Sequence, residues 1–156
     1  MNHERVQSER LSAAHRPDVP WGAPLPPKQR AAMVAVALFG VVTVFQLLLA
    51  LGAPWGAAAW GGQTPGVLPA GFRIGSAVSG LVVYPLMIAY ILDASRLVRI
   101  AWLPGSRRIA MWVLFAFFAL GTVMNTITPS PIERIWAPVN LILAICVFFI
   151  VRRRAD

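Results

Sequence analysis

Four long apolar runs dominate the sequence, and charged, Pro-rich or Gly-rich segments separate them. The runs cover residues 31–51, 74–92, 109–124 and 135–151. An α-helix rises about 1.5 Å per residue, so about 20 apolar residues cross a hydrocarbon core about 30 Å thick. Backbone amides in lipid must be paired within their own segment, which excludes open strands. The pattern therefore predicts an all-α fold, an integral membrane four-helix bundle over residues 31–151.

Composition favours a membrane protein over a water-soluble one. Apolar residues make up 58% of the 156 residues and charged residues 13%, against roughly a quarter charged in ordinary globular domains. Residues 1–30 contain five prolines and mixed charges but no early apolar core, so we expect a disordered cytoplasmic tail and no secretory signal. Residues 152–156 form a second, short basic tail.

The distribution of Lys and Arg predicts the orientation of the helices. Five of these residues lie in the first tail, four between the second and third runs, and three at the C-terminus. The two remaining connections carry one each, Arg73 and Arg134. Positively charged loops stay in the cytoplasm. The sequence thus predicts an inner-membrane protein with both termini cytoplasmic. Most of the excess positive charge, a net +8, lies in these predicted cytoplasmic segments. We therefore expect the lipid bilayer, and not nucleic acid, as the partner of the basic residues.

The first extracytoplasmic connection reads GAPWGAAAWGG over residues 52–62. Glycine permits close backbone approach and positive φ. Trp55 and Trp60 favour the membrane interface because an apolar ring carries a polar edge. Two interpretations stay open: a cap-like loop that lines an outward-facing pocket, or an interfacial loop anchored by its tryptophans.

The second extracytoplasmic connection concentrates hydrogen-bonding groups in NTITPSPIERIWAP, residues 125–138. Glu133 can pair with Arg134 or, across the two connections, with Arg73. One hypothesis makes these groups the polar floor of an extracytoplasmic site. The other makes Glu133 and Ser130 helix-start groups that satisfy free amides. The candidate ligand-binding residues of both connections are Trp55, Trp60, Arg73, Asn125, Thr128, Ser130, Glu133, Arg134 and Trp136.

Small and neutral polar residues within the runs are predicted to join the helices. Pairs of small residues four apart on the second run permit close helix contact, and neutral amides deep in the first and fourth runs can bind a neighbouring helix. Pro85 is expected to kink the second helix. The predicted packing residues are Gln46, Gly75, Ser76, Ser79, Gly80 and Asn140.

Groups that carry chemistry are scarce in the apolar runs. None of the four runs contains a charged residue or a histidine, although proton-coupled transporters usually need one. The single cysteine, Cys146, permits no intramolecular disulfide and no Cys-based metal site. We therefore expect no metal and no cofactor. On the predicted cytoplasmic side, Asp93 and Arg96 are three residues apart, a spacing at which they could pair if the second helix extends past the apolar run.

The paired motifs GAPWG…AWGG and N…TPS…ER…W resemble those of small, uncharacterised four-span bacterial membrane proteins. The resemblance covers roughly residues 31–151 and implies a fold and a location but no activity. The chain is also similar in size and span count to small multidrug transporters, and departs from them in lacking a carboxylate in the first span.

The favoured functional interpretation is a non-enzymatic membrane module that binds a partner protein, a lipid or a small apolar ligand at its extracytoplasmic end. Two alternatives stay open. One is a small oligomeric transporter or channel, lined by the polar residues of the spans. The other is an enzyme that acts on a lipid or isoprenoid with Glu133 as general acid or base. Besides the bilayer, the expected partners are another membrane protein or further copies of the chain.

Overall fold

The computed structural model describes residues 24–103 and 105–152, and these residues form helices and short connections without a β-strand. Four helices are long and apolar enough to cross a membrane. They are α1 (Pro27–Leu51), α2 (Ala70–Ala94), α3 (Arg107–Ile127) and α4 (Trp136–Val151), the last preceded by a 3-10 turn, Glu133–Ile135. The all-α prediction is confirmed for the described residues, and the four candidate spans agree with a multi-pass membrane protein. Most of the first predicted tail, residues 1–23, and residues 153–156 lie outside the described residues.

The helices extend beyond the predicted runs at several ends. α1 begins at Pro27, so residues 27–30 are helical rather than part of the tail. Proline is pre-organised for the first helical turn, where its missing N–H is not needed. α2 begins directly after Pro69. α3 continues past the apolar run to Ile127, and within this extension Thr126 donates its hydroxyl to the carbonyl oxygen of Thr122 at 2.7 Å.

Helix α4 packs along both α3 and α1. Helix α2 packs against α1, and its segment Tyr84–Ala94 also contacts α3. The main core fills the end of the bundle at which α1 begins and α4 ends, which we call the terminal end. Its members include Phe39, Ile91, Met111, Leu114, Phe118 and Val147. The connections 52–69 and 128–135 lie at the opposite end.

A π-helical turn, Ser79–Val83, interrupts α2. The amide of Tyr84 donates to the carbonyl oxygen of Ser79, five residues back. Pro85 follows at once, and it lacks an N–H and crowds the carbonyl four residues earlier. The distortion predicted for Pro85 therefore takes the form of a π turn. Gly80 lies in this turn against α1, where an added Cβ would lie 3.0 Å from a methyl carbon of Leu47.

At the terminal end, Asp93 pairs with Arg107 of α3 and not with Arg96, so that expectation was wrong. The Asp93 side chain is 1% exposed, and its Oδ1 accepts a hydrogen bond from the amide of Ile100 at 3.0 Å. The predicted helical extension is missing because α2 ends at Ala94. Arg96 has a φ of 62°, which breaks the helical spacing that a pair three residues apart requires.

Candidate functional site

The two connections opposite the terminal end bind each other through residues 57–62 and 128–136, which we call the clasp. The hydroxyl of Ser130 donates to the carbonyl oxygen of Ala57 at 2.6 Å, across 73 residues of sequence. A Cβ added at Gly62 would lie 2.1 Å from the Cβ of Ser130. The backbones therefore meet at a distance that only glycine permits.

Glu133 is the buried carboxylate of the clasp and is 7% exposed. Its Oε1 accepts from the amide of Gly61 at 2.8 Å, and its Oε2 accepts from the hydroxyl of Thr128 at 2.6 Å. Within the described residues, neither Arg73 nor Arg134 forms an ion pair with it. Hydrogen bonds to a carboxylate are stronger than bonds between neutral groups. These two hydrogen bonds, and not the ion pairs considered from the sequence, fix the position of the Glu133 carboxylate.

Arg73, in the first turn of α2, and Arg134, in the second connection, both bind backbone carbonyls. Arg73 donates from Nε to the carbonyl oxygen of Ala50 at 3.0 Å, near the end of α1. The last carbonyls of a helix lack partners within the helix and carry partial negative charge, so a guanidinium suits that position. Arg134 donates from Nε to the carbonyl oxygen of Thr128 at 3.1 Å. The first hydrogen bond therefore joins the start of α2 to the end of α1, and the second lies within the connection 128–135.

Trp60 attaches the first connection to α2. Its indole Nε1 donates to the hydroxyl oxygen of Ser76 at 3.0 Å. The ring covers Gly75, where an added Cβ would lie 2.9 Å from Cη2. Trp60 has a φ of 55°, followed by 83° at Gly61 and 66° at Gly62. A left-handed conformation costs a residue with a side chain roughly 1–2 kcal/mol, and the contacts with α2 offset that cost.

A cavity of about 430 Å³ lies beneath the clasp, between the helices. This volume falls in the range of about 300–1,000 Å³ that is usual for small-molecule sites. On the terminal side, the core residues Phe39, Phe118 and Leu143 line it. The clasp side of the lining contains Ala58, Ala59, Trp60, Glu133 and Trp136.

Three side-chain amides face this cavity without full hydrogen bonding. Gln46 Nε2 lies 3.5 Å from the hydroxyl oxygen of Tyr84, at the limit of a hydrogen bond, and Gln46 Oε1 is buried without a partner. In the described part of the chain, Asn125 and Asn140 line the cavity and their amides make no hydrogen bond. Unpaired polar groups in apolar surroundings cost free energy. The cavity thus offers both space and hydrogen-bonding groups to a ligand.

No protein-family model matches the chain, and neither a curated protein nor a solved structure matches it. The resemblance to small four-span proteins therefore stays a prediction, and the function has to be inferred from the site itself. Among the described residues, no three His, Cys, Asp or Glu side chains cluster in a way that could hold a metal ion.

The structure divides the nine candidate ligand-binding residues into two groups. Four line the cavity: Trp60, Asn125, Glu133 and Trp136. Thr128 and Ser130 form hydrogen bonds within the clasp, and the two arginines bind carbonyls away from the lining. Trp55 stacks on Phe45 with an interplanar angle of 2° and is 48% exposed.

Ser130 also accepts a long hydrogen bond, 3.4 Å, from the amide of Glu133, as a helix-start group would.

Three of the predicted packing residues prove to face the cavity: Gln46, Ser79 and Asn140. Asn140 also packs on α3, where a Cβ at Gly121 would lie 3.2 Å from its amide carbon. The phenol of Tyr84, which was not among the predicted residues, lies beside Gln46 in the lining. A tyrosine in mid-span next to a proline was the signal that could have indicated it, because a phenol needs a hydrogen-bond partner there.

Proposed function

We propose that the protein is a multi-pass inner-membrane protein that holds a small apolar or amphipathic molecule beneath the clasp without converting it chemically. One observation carries the proposal: the side-chain amides of Asn125 and Asn140 and the side-chain carbonyl oxygen of Gln46 lack hydrogen-bond partners among the described residues, and all three residues line a cavity walled by aromatic rings. Ligand sites in proteins combine a mostly apolar lining with a few polar groups that orient the ligand. A partner protein would instead need an exposed complementary surface.

The arginine distribution supports an orientation in which the clasp faces the periplasm and both termini the cytoplasm. Single cysteines at Gln63 and Ser106, in a Cys146→Ala background, test this orientation, because both positions are exposed. A membrane-impermeant maleimide should label Gln63→Cys in intact spheroplasts. It should label Ser106→Cys only after lysis. The reverse pattern would contradict the orientation.

Two features favour binding over the alternatives of transport and catalysis. The terminal end of the bundle is filled by Phe39, Met111 and Val147, each at most 1% exposed. Among the described residues, no polar path therefore leads from the cavity through that end. A channel needs such a path. Both oxygens of Glu133 accept hydrogen bonds from the clasp, whereas a general acid or base needs to reach a reacting group.

Identification of co-purified molecules tests the proposal directly. The full chain is purified from native membranes in mild detergent, and bound compounds are extracted and quantified by mass spectrometry. We expect a compound in near-stoichiometric amount with wild type and with Thr126→Val, a polar-to-apolar change outside the cavity lining on exposed α3 surface. Asn140→Leu, similar in volume, should lose it. Equal recovery from wild type and Asn140→Leu, with both chains monodisperse, would refute the site.

A further inference from the structure

The charges around the cavity narrow the class of molecule that fits it. Glu133 is the charged member of the described lining, and both of its oxygens are already hydrogen-bonded. Arg73 and Arg134 donate to carbonyls elsewhere. A phosphate or carboxylate head would therefore meet a carboxylate and no cation. Burial of an unpaired charge is strongly unfavourable, so the lining disfavours an anionic head.

The polar groups of the lining suit a neutral head instead. A side-chain amide both donates and accepts, and a hydroxyl does the same. Gln46, Asn125 and Asn140 supply amides, and Ser79 and Tyr84 supply hydroxyls. These groups can form hydrogen bonds with an alcohol, ester or amide head. The aromatic and aliphatic side chains that make up the rest of the lining suit a hydrocarbon chain. The volume of about 430 Å³ lies near the lower end of the usual range for ligand sites, about 300–1,000 Å³, and favours one chain over two.

The cavity reaches the lipid-facing surface along α3. Phe117, Leu120 and Met124 line it and are also 51%, 63% and 55% exposed. Helix α2 contacts α3 through Tyr84–Ala94, whereas the part of α2 nearer the clasp packs on α1. On the clasp side of that contact the cavity lining comes from Ser79 of α2 and from the exposed Leu120 and Met124 of α3, so we place an opening of the cavity between these two helices. We call it the lateral gap.

We propose that the occupant is a neutral single-chain amphiphile, of the monoacylglycerol or long-chain alcohol type, which enters from the clasp-side leaflet through the lateral gap. This assignment rests on the cavity being a binding site, as proposed above. The head would reach the amides of Asn125 and Asn140, and the chain would lie among the rings of the lining.

Three probes with the same oleoyl chain test the class of ligand: monooleoylglycerol, oleate and oleoyl lysophosphatidic acid. The full chain is reconstituted in lipid nanodiscs, and binding of each probe is measured by native mass spectrometry. Monooleoylglycerol should bind at least about tenfold more tightly than either anion, and Asn140→Leu should weaken it by about tenfold, the effect of one or two hydrogen bonds. Equal or tighter binding of an anionic probe would overturn the assignment.

Two tryptophan substitutions on α3 test the route. Leu120 lines the cavity and is 63% exposed, whereas Val123 is 54% exposed and lies outside the lining. Leu120→Trp should slow both association and dissociation of monooleoylglycerol severalfold in stopped-flow measurements. Val123→Trp, the matched control, should leave both rates near those of wild type. Equal rates in the two variants would overturn entry through the lateral gap.

The outcomes separate this inference from the proposed function. A co-purified compound that depends on Asn140 but is anionic or has two chains would overturn the ligand class and leave the binding function intact. If no probe binds and no compound co-purifies, both fail.

Discussion

The indole Nε1 of Trp136 donates a hydrogen bond to the carbonyl oxygen of Ala58 at 2.7 Å, and so ties α4 to a loop 78 residues earlier. The same ring packs against Phe45 of α1 with 4.7 Å between centroids. Ala58 is 6% exposed, so its carbonyl depends on a protein partner. Trp136 therefore acts on the clasp both through its N–H and through its ring.

Trp136→Phe separates these two contributions because it removes the N–H and keeps an aromatic ring. We expect a loss of about 1–2 kcal/mol in the free energy of unfolding, the cost of leaving a buried carbonyl unpaired. The control is Trp55→Phe, at a half-exposed ring stacked on Phe45, which should cost less than about 0.5 kcal/mol. Both are measured by SDS titration in mixed micelles, followed by circular dichroism. Equal losses would contradict a role for the Trp136 hydrogen bond.

Glu133→Ala should destabilise the clasp more than Glu133→Gln. Alanine leaves the Gly61 amide and the Thr128 hydroxyl without their partner, at about 1–3 kcal/mol for each buried group left unpaired. Glutamine can accept from Gly61 with its carbonyl oxygen and donate from its amide to Thr128. The same unfolding assay distinguishes the two variants. If glutamine were as damaging as alanine, the negative charge rather than the hydrogen bonds would hold the clasp.

Gly62→Ala should destabilise the protein more than Gly66→Ala. Both positions have positive φ, 66° and 86°, so both alanines pay roughly 1–2 kcal/mol for the left-handed conformation. The new methyl at Gly62 would also overlap Ser130, whereas Gly66 has no atom within 4 Å of an added Cβ. Overpacking adds about 1–3 kcal/mol. Thermal unfolding in detergent gives the difference, and similar melting temperatures would contradict the contact of the two connections.

Arg107→Ala should destabilise the terminal end, whereas Arg108→Ala should not. Arg107 is paired with the buried carboxylate of Asp93, and Arg108 is an exposed neighbour of the same charge. Removal of one partner leaves a buried charge unpaired, but Arg107 is itself 60% exposed, so water screens part of the loss. We expect about 1–2 kcal/mol for Arg107→Ala. If both variants lost the same free energy of unfolding in the SDS titration, the effect would come from net charge and not from the pair of Arg107 with Asp93.

The sequence was sufficient to predict the four helices because length and apolar character decide membrane spans locally. It also placed the residues of both motifs at one end of the bundle. It could not predict which groups would pair there. Glu133 binds a backbone amide 72 residues away, and a backbone partner leaves no mark in the residue types. The expectation for Asp93 was wrong for a related reason, since the end of α2 decided which arginine it could reach.

The cavity was the least predictable feature. Gln46 and Asn140 were interpreted as helix-joining groups, which neutral amides in spans usually are. Their incomplete hydrogen bonding depends on how the helices pack around the cavity, which is a long-range property and not that of any single motif. The π turn at Ser79–Val83 adjoins this region. Pro85 indicated a distortion in α2, but not that it would lie beside a cavity.

The long sequence separation of the clasp contacts has a consequence for biogenesis. Gly61, Ala57 and Ala58 receive their partners from Glu133, Ser130 and Trp136, which are synthesised more than seventy residues later. During translation, the hairpin of α1 and α2 is therefore made before these partners exist. Until then, water or lipid headgroups have to form the hydrogen bonds with its loop. Its Gly-rich loop can stay hydrated at the interface until the second hairpin arrives, so closure of the clasp marks the completion of assembly.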